Sequence, residues 1–276
     1  MASSNRSGGT KFDGKVVLIT GAASGIGAAT ARRFASEGAH LMLADVNEEG
    51  MASLAKELGG GSRESETVAV HPTDVADREQ VEALTRATVE RFGRLDVVFN
   101  NAGIAAYGKT PDLDPETWHR TLAVDLHSVF YGCRAAIPFL REAGGGVIVN
   151  TASMSGLYGD YGLAAYNAAK GAVVNFTRTL AIDHAREGIR ANCVCPGAID
   201  TALTAGLRAN PAVMREYERL IPMGRMGKAD EIASVVTFLA SDDASYLTGA
   251  AIVIDGGITA ATGQPNFTRV LEETAE

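Results

Sequence analysis

The sequence predicts an α/β fold, a parallel sheet of about seven strands with helices on both faces. Three observations predict it. Short apolar runs rich in β-branched residues alternate with longer segments of helical periodicity. The first of these runs ends in a cluster of glycines that leads directly into a helical segment. The length, 276 residues, is near the upper limit for one domain and short for two.

The first strand is Lys15–Thr20 (KVVLIT), ended by Gly21; so little polar alternation marks a strand buried on both faces. A helix follows from about Gly25 to Gly38. The second strand is His40–Asp45, and a helix covers Glu48–Leu58. Gly59, Gly60 and Gly61 stop that helix and open a polar loop to Thr67. The third strand covers Thr67–Val70, a helix lies near Asp77–Arg91, and the fourth strand is Leu95–Phe99. A long helix is expected over Pro115–Glu142, bent or ended by Pro138. Gly144–Gly146 is a stop, and Val147–Thr151 is the fifth strand. The next helix runs from about Gly162 to Arg186, and the sixth strand is Ile189–Cys195. Gly197–Gly227 is a variable segment. Helix Ala229–Ser241 and strand Ala251–Ile254 complete the sheet. Seven such strands suit a doubly wound sheet or an eight-stranded barrel, and the first turn decides for the former.

Composition narrows the function. The chain is 46% hydrophobic and 21% charged, the balance of a soluble globular protein. The 25 basic and 33 acidic residues leave a net charge of −8, unsuited to general binding of nucleic acid or anionic membranes. No apolar stretch has the length of a membrane span, and MASSNRSGGTKFDG has no signal-peptide run, so a cytoplasmic protein is expected. Cys133, Cys193 and Cys195 form no disulfide framework and no CxxC, and read as buried thiols. The five histidines are scattered, and no metal site is expected.

The glycine turn is Thr20-Gly-Ala-Ala-Ser-Gly-Ile-Gly27, with glycines at 21, 25 and 27 between strand and helix. Absent side chains let the backbone approach a pyrophosphate, and N–H groups at the helix start can face its oxygens. Asp45 ends the second strand, 18 residues after Gly27. A carboxylate there accepts from ribose hydroxyls and repels a 2′-phosphate. Neither the turn nor the residues directly after Asp45 contain Lys or Arg, so NAD is read in preference to NADP.

These residues resemble the short-chain dehydrogenase/reductase family, whose cofactor motif T-G-x-x-x-G-x-G is matched by Thr20–Gly27, with Ser24 and Ile26 inside it. Further matches follow in order over about residues 14–257. Asp74-Val75 resembles the pair that contacts adenine. Asn100-Asn101-Ala102-Gly103 is similar to N-N-A-G, and Ser153, Tyr166 and Lys170 to the catalytic serine and Y-x-x-x-K. Pro196-Gly197, with Ile199 and Thr201, resembles the segment beside the nicotinamide, and Asp255-Gly-Gly257 the closing turn. The resemblance implies a single-domain Rossmann-type sheet and a homotetramer built through the helices around 115–141 and 160–186. Residues 1–13 then form a flexible arm, 198–226 a substrate lid and 258–276 a tail.

Tyr166 and Lys170 lie four apart on one helical face, and Ser153 at the carboxyl end of the fifth strand. Oxidation of an alcohol needs loss of the hydroxyl proton and transfer of a hydride. A free Tyr has a pKa of ~10, so a base near neutrality must be shifted by roughly 3 units, about 4 kcal/mol. Lys170 and the cationic nicotinamide ring favour tyrosinate. Ser153 holds the substrate oxygen beside Tyr166. The resemblance adds that Lys170 grips the nicotinamide ribose.

One position departs from the family pattern. In Val124-Asp-Leu-His-Ser-Val-Phe130, Asp125 stands where the family carries an Asn that holds a relay water. Asp125 can also accept from such a water, but it adds negative charge near Lys170. Substrate selectivity is expected from Met154, Leu157, Tyr158 and Tyr161, and from Leu203, Leu207, Met214, Tyr217 and Leu220, with Gly206 and Pro211 suiting a lid hinge. This mostly apolar set fits a neutral, hydrophobic or cyclic secondary alcohol or ketone. Two alternatives stand beside it. A 3-oxoacyl thioester reductase usually prefers NADPH, which Asp45 disfavours; a non-enzymatic NAD-binding regulator is disfavoured by the complete Ser153, Tyr166 and Lys170. Enoyl reductases of the wider family use a longer Tyr-to-Lys spacing.

Overall fold

A computed structural model describes residues 10–59 and 66–274. The chain runs β1 (Val16–Thr20), α1 (Gly25–Ser36), β2 (His40–Asp45), α2 (Glu48–Glu57), β3 (Val68–Pro72), α3 (Arg78–Phe92), β4 (Val97–Asn100), α4 (Pro115–Leu122), α5 (Ser128–Glu142), β5 (Gly146–Thr151), α6 (Ala164–His184) and β6 (Ile189–Pro196). Then come β7 (Ile199–Asp200), α7 (Ala205–Arg208), α8 (Pro211–Leu220), β8 (Gly227–Lys228), α9 (Ala229–Ala240), β9 (Ala251–Ile254) and α10 (Phe267–Glu273).

Seven strands pair in the order β3-β2-β1-β4-β5-β6-β9, all parallel. The chain winds outward from β1 to β3, then returns to place β4 on the other side of β1. The carboxyl ends of β1 and β4 therefore flank the switch point where such sheets bind ligands. Strand alternation divides the core between the two faces. Val17 and Ile19 of β1 join Phe34, Leu41, Leu43, Ile232 and Val236 on one face. Val16 and Leu18 join Leu84, Leu140, Ile148, Val173 and Ile189 on the other. No helix among the described residues is long and apolar enough to cross a membrane.

The structure differs from the sequence expectation in four places. The end of the expected flexible arm is packed, because Phe12 is buried and meets Phe34 edge-on at 4.7 Å between ring centres. Its first nine residues, and 60–65 of the glycine loop, lie outside the described residues. Pro138 sits inside α5 without ending it. The interruption of the long helix comes earlier, as a π-helical turn at Ala123–His127 between α4 and α5. The tail is partly helical, since α10 forms after the cap residue Asn266, whose side chain accepts from the Arg269 N–H. In the variable segment, the short β7–β8 pair and the buried Ile221 and Met226 pin the ends. Pro211 opens α8, a position where its missing N–H costs nothing.

Asp96, just before β4, ties the bottom of the sheet together. Its carboxylate accepts from the Val16 N–H at 3.0 Å, from Arg94 at 2.6 and 2.8 Å, and from Lys15 at 3.2 Å. Burial works against its ionised form, but these partners outweigh burial and hold the carboxyl below its usual range. The stabilisation is therefore present above the ordinary carboxylate pKa and fades as pH falls through the depressed one. Asp96→Ala is expected to cost about 1–3 kcal/mol at neutral pH, because the buried Val16 N–H loses its acceptor. Urea unfolding checks this, and the gap between variant and wild type should narrow in acid.

Candidate active site

The β1–α1 turn is shaped by its glycines. Gly21 and Gly25 have φ of 64° and 53°, a region that side chains disfavour. A Cβ on Gly27 would lie 2.0 Å from the Gly21 carbonyl oxygen, so α1 can start this close to the strand only with glycine there. Ser24 precedes α1 without a side-chain capping bond, which leaves N–H groups of the first turn for an anion. A cavity of about 320 Å³ opens over this turn. Its walls include Gly21, Ser24, Gly25 and Ile26 from the turn and Asp45 from β2. Asn101, Ala102 and Gly103 follow β4; Pro196, Gly197, Ile199 and Thr201 come from the end of β6 and the segment after it. Ser153, Tyr166 and Lys170 line the same cavity.

A second cavity of about 130 Å³ shares Gly21, Asp45, Ala102 and Gly103 with the first and adds Asp74 and Val75. Two of the sequence-predicted residues line neither. Gly27 backs the turn, and Asp125 is fully buried behind Gly103 and Lys170. Arg120 is a residue that sequence reasoning misses: it reaches the second cavity from α4 and pairs with Asp74 at 3.2 Å. Their separation of 46 positions hides that pair from local sequence reading.

The strand ends are cross-tied by amides. The Asn101 side chain donates to the carbonyls of Thr20 and Gly21 at 3.1 and 3.2 Å and accepts from Thr151 Oγ1 at 3.3 Å. Asn100 turns into the core and donates to Asn150 at 2.9 Å, which donates on to Thr177 of α6 at 3.0 Å. A dinucleotide fits these residues. The cavity runs from the Asp45 carboxylate, fixed by N–H donors of Ala23 and Asn47 at 3.0 Å each, past the uncapped helix start to Tyr166. Asp255, in the closing turn, packs against Gly197, where a Cβ would come within 2.7 Å of it.

The reacting groups are enclosed. Lys170 is 2% exposed, and its ammonium donates to the Thr151 carbonyl at 3.0 Å. It lies 3.6 Å from Asp125 Oδ1 and 5.5 Å from the centre of the Tyr166 ring. Asp125 Oδ1 also accepts from the Ile104 N–H at 3.0 Å, whereas the buried Oδ2 has no hydrogen-bond partner. Burial pushes the Asp125 carboxyl up, against the pull of Lys170 and Ile104. Burial likewise pushes the Tyr166 phenol up. Lys170 and a hydrogen bond with Ser153 pull it down, while Asp125 and Asp160 push it further up. Ser153 Oγ lies 3.2 Å from Ser155 Oγ, which donates to the carboxylate of Asp160.

A third cavity of about 100 Å³ adjoins Ser153 and Tyr166. Of the residues expected there, Met154, Leu203, Leu207 and Tyr217 line it. Leu157 instead packs against the core. Tyr158, Tyr161 and Leu220 are exposed, and Met214 is not among the lining residues. The wall is mostly apolar, with Tyr107, Ser155 and Asp160 as polar groups among its lining residues. All three cysteines are buried and free, and no group of metal-ligating side chains occurs among the described residues.

A family profile described as enoyl-(acyl carrier protein) reductase matches residues 21–259. A meso-2,3-butanediol dehydrogenase of Serratia marcescens is 45% identical over 258 residues, covering 93% of this chain and 99% of the relative. A cyclohexanol dehydrogenase of Acinetobacter is 41% identical over 253 residues, covering 90% and 96%. The crystal structure of a short-chain dehydrogenase/reductase of the glucose/ribitol dehydrogenase type from Brucella melitensis superposes with a TM-score of 0.84 at 37% identity, covering 91% and 98%. With its glycine turn, its cross-tied strand ends and its Ser153, Tyr166 and Lys170 at one sheet edge, the chain belongs to the short-chain dehydrogenase/reductase family of oxidoreductases.

Proposed function

We propose that the protein is an NAD(H)-dependent oxidoreductase that interconverts a secondary alcohol and a ketone, with a neutral hydrophobic or cyclic substrate. The observation that carries this reading is the shared cavity: Ser153, Tyr166 and Lys170 line the same space as the glycine turn. The names of the relatives, an alcohol and a diol dehydrogenase, support the reaction class. Asp45 supports NAD, because its fixed carboxylate accepts from ribose hydroxyls and repels a 2′-phosphate. Arg120, a nearby cation, is paired with Asp74. We also infer a cytoplasmic homotetramer. Exposed Phe130 on α5 and Ile182 on α6 support an assembly through those helices.

A bound nicotinamide supplies the hydride acceptor for oxidation and the donor for reduction. Gly21, Ser24, Gly25 and Ile26 hold the pyrophosphate, Asp45 the adenosine ribose, and Asp74 and Val75 the adenine. Asn101, Ala102, Gly103, Pro196, Gly197, Ile199 and Thr201 enclose the nicotinamide half. The chain's own groups handle the proton. Ser153 Oγ orients the substrate oxygen, and Tyr166 Oη takes the hydroxyl proton in oxidation and returns it in reduction. Lys170 lowers the cost of the tyrosinate by its charge and reaches the nicotinamide ribose.

Two outcomes check this. In a screen of alcohols with NAD⁺ and NADP⁺ and of ketones with NADH, wild type turns over secondary alcohols and prefers NAD⁺. Tyr166→Phe loses turnover but keeps NADH binding. Better use of NADP⁺, or activity surviving in Tyr166→Phe, contradicts the reading. The second concerns Asp125. Its negative charge pushes Tyr166 up, so removing it lets Tyr166 ionise at lower pH. Asp125→Asn keeps an acceptor for Ile104 and should leave oxidation intact or raise it below about pH 8. A loss beyond roughly a hundredfold, ~2.7 kcal/mol, in a folded variant contradicts it.

A further inference from the structure

The second cavity, beside Gly21 and Asp45, carries an unequal set of charges. Its walls hold two carboxylates, Asp45 and Asp74, and one cation among the described residues, Arg120. The carboxylates are held differently. Asp45 is fixed by neutral donors, the N–H groups of Ala23 and Asn47 at 3.0 Å each, and no cation pairs with it among the described residues. Asp74 accepts from the Ala76 N–H at 3.0 Å. It also accepts from both terminal nitrogens of Arg120, at 3.2 Å each on Oδ2 and at 3.4 Å on Oδ1. The guanidinium charge is therefore committed to Asp74. The two side chains are 54% and 36% exposed, so their pairing can be broken without opening the core.

Charge on this wall bears on one group in particular. NAD and NADP differ only at the adenosine ribose, which carries a 2′-hydroxyl in one and a 2′-phosphate in the other. A phosphate there calls for a cation, and a guanidinium is well shaped for it. Arg120 lines the same cavity of about 130 Å³ as Asp45, the residue read above as the ribose acceptor. Charges act over ~8–10 Å in salt water, so a charge held in so small a cavity feels Arg120. While Asp74 neutralises Arg120, that attraction is largely cancelled. The chain offers no substitute close by, since neither Thr20–Gly27 nor the residues directly after Asp45 contain Lys or Arg.

We propose that Asp74 is a specificity-determining residue: by holding Arg120 it withholds that cation from a 2′-phosphate, and so reinforces Asp45 in selecting NAD over NADP. The inference rests on the NAD reading above and adds a second determinant to it. Asp45 acts by repulsion, and Asp74 by sequestering the opposite charge. This role is separate from contact of Asp74 with the adenine. NAD and NADP share the adenine, so such a contact divides out of the ratio of their affinities.

The test measures the Kd of NADH and of NADPH by fluorescence titration of the full chain, so that no substrate is needed. Wild type is compared with Asp45→Ser, with Asp45→Ser plus Asp74→Asn, with Asp45→Ser plus Arg120→Leu, and with all three substitutions together. Asp74→Asn keeps an acceptor for the Ala76 N–H, and circular dichroism checks the folding of each variant. In the Asp45→Ser background, Asp74→Asn should shift the preference toward NADPH by about fivefold or more, the scale of one exposed ion pair. That shift should fade in high salt. With Arg120→Leu also present, Asp74→Asn should shift the preference by no more than about twofold. No shift on Asp74→Asn overturns the proposal and leaves the NAD reading standing. So does an equal shift with and without Arg120, which marks the mere loss of a negative charge. Wild type that binds NADPH more tightly than NADH, or binds neither, overturns both.

Discussion

The site depends on one constraint, the burial of the Lys170 ammonium. A lysine charge almost excluded from water is costly unless oxygen ligands compensate it. Here the Thr151 carbonyl at the end of β5 and the Asp125 carboxylate supply them. Those contacts fix α6 against β5, and α6 carries Tyr166 one turn before Lys170. The close approach is permitted by small residues. A Cβ on Gly156 would fall 2.5 Å from the Lys170 carbonyl oxygen, and one on Gly103 2.7 Å from Asp125 Oδ1. The π-helical turn at Ala123–His127 belongs to the same arrangement, since Asp125 is presented from it. Such turns interrupt α-helices frequently at functional sites.

The electrostatics of this enclosure are balanced rather than one-sided. Burial and two carboxylates push Tyr166 away from ionisation, while Lys170 and Ser153 favour it. The carboxylates differ in place. Asp125 is fully buried beside Lys170, whereas Asp160 lines the cavity beside Ser153 and Tyr166. The sheet supplies the rigid frame, with Asn100, Asn101 and Asn150 tying the ends of β1, β4 and β5 so that these distances hold.

Much of this is legible in the sequence because it is local. The seven strands follow from short buried runs, and the cofactor turn from glycines fixed between a strand and a helix. Ser153, Tyr166 and Lys170 are legible because a strand end and a helix face are one-dimensional patterns. What the sequence hides is either non-local or set by packing. Arg120 meets Asp74 across 46 residues, and Asp160 enters the cavity only because the loop folds back over Ser155. Phe12 reads as part of a polar arm, yet its ring slots against Phe34. Pro138 reads as a helix breaker, but α5 tolerates it, while the π turn carries no composition signal. Tyr158 and Tyr161 are plausible pocket residues by position, but their loop turns them to solvent.

The buried Lys170 charge sets the acidity of Tyr166. The most direct measurement is the ultraviolet tyrosinate titration of the NAD⁺ complex, taken as the difference between wild type and Tyr166→Phe and repeated in a Lys170→Met background. Tyr166 should ionise below the ~10 of a free tyrosine in wild type and move upward when Lys170 is replaced. The same titration with and without Lys170 would contradict it.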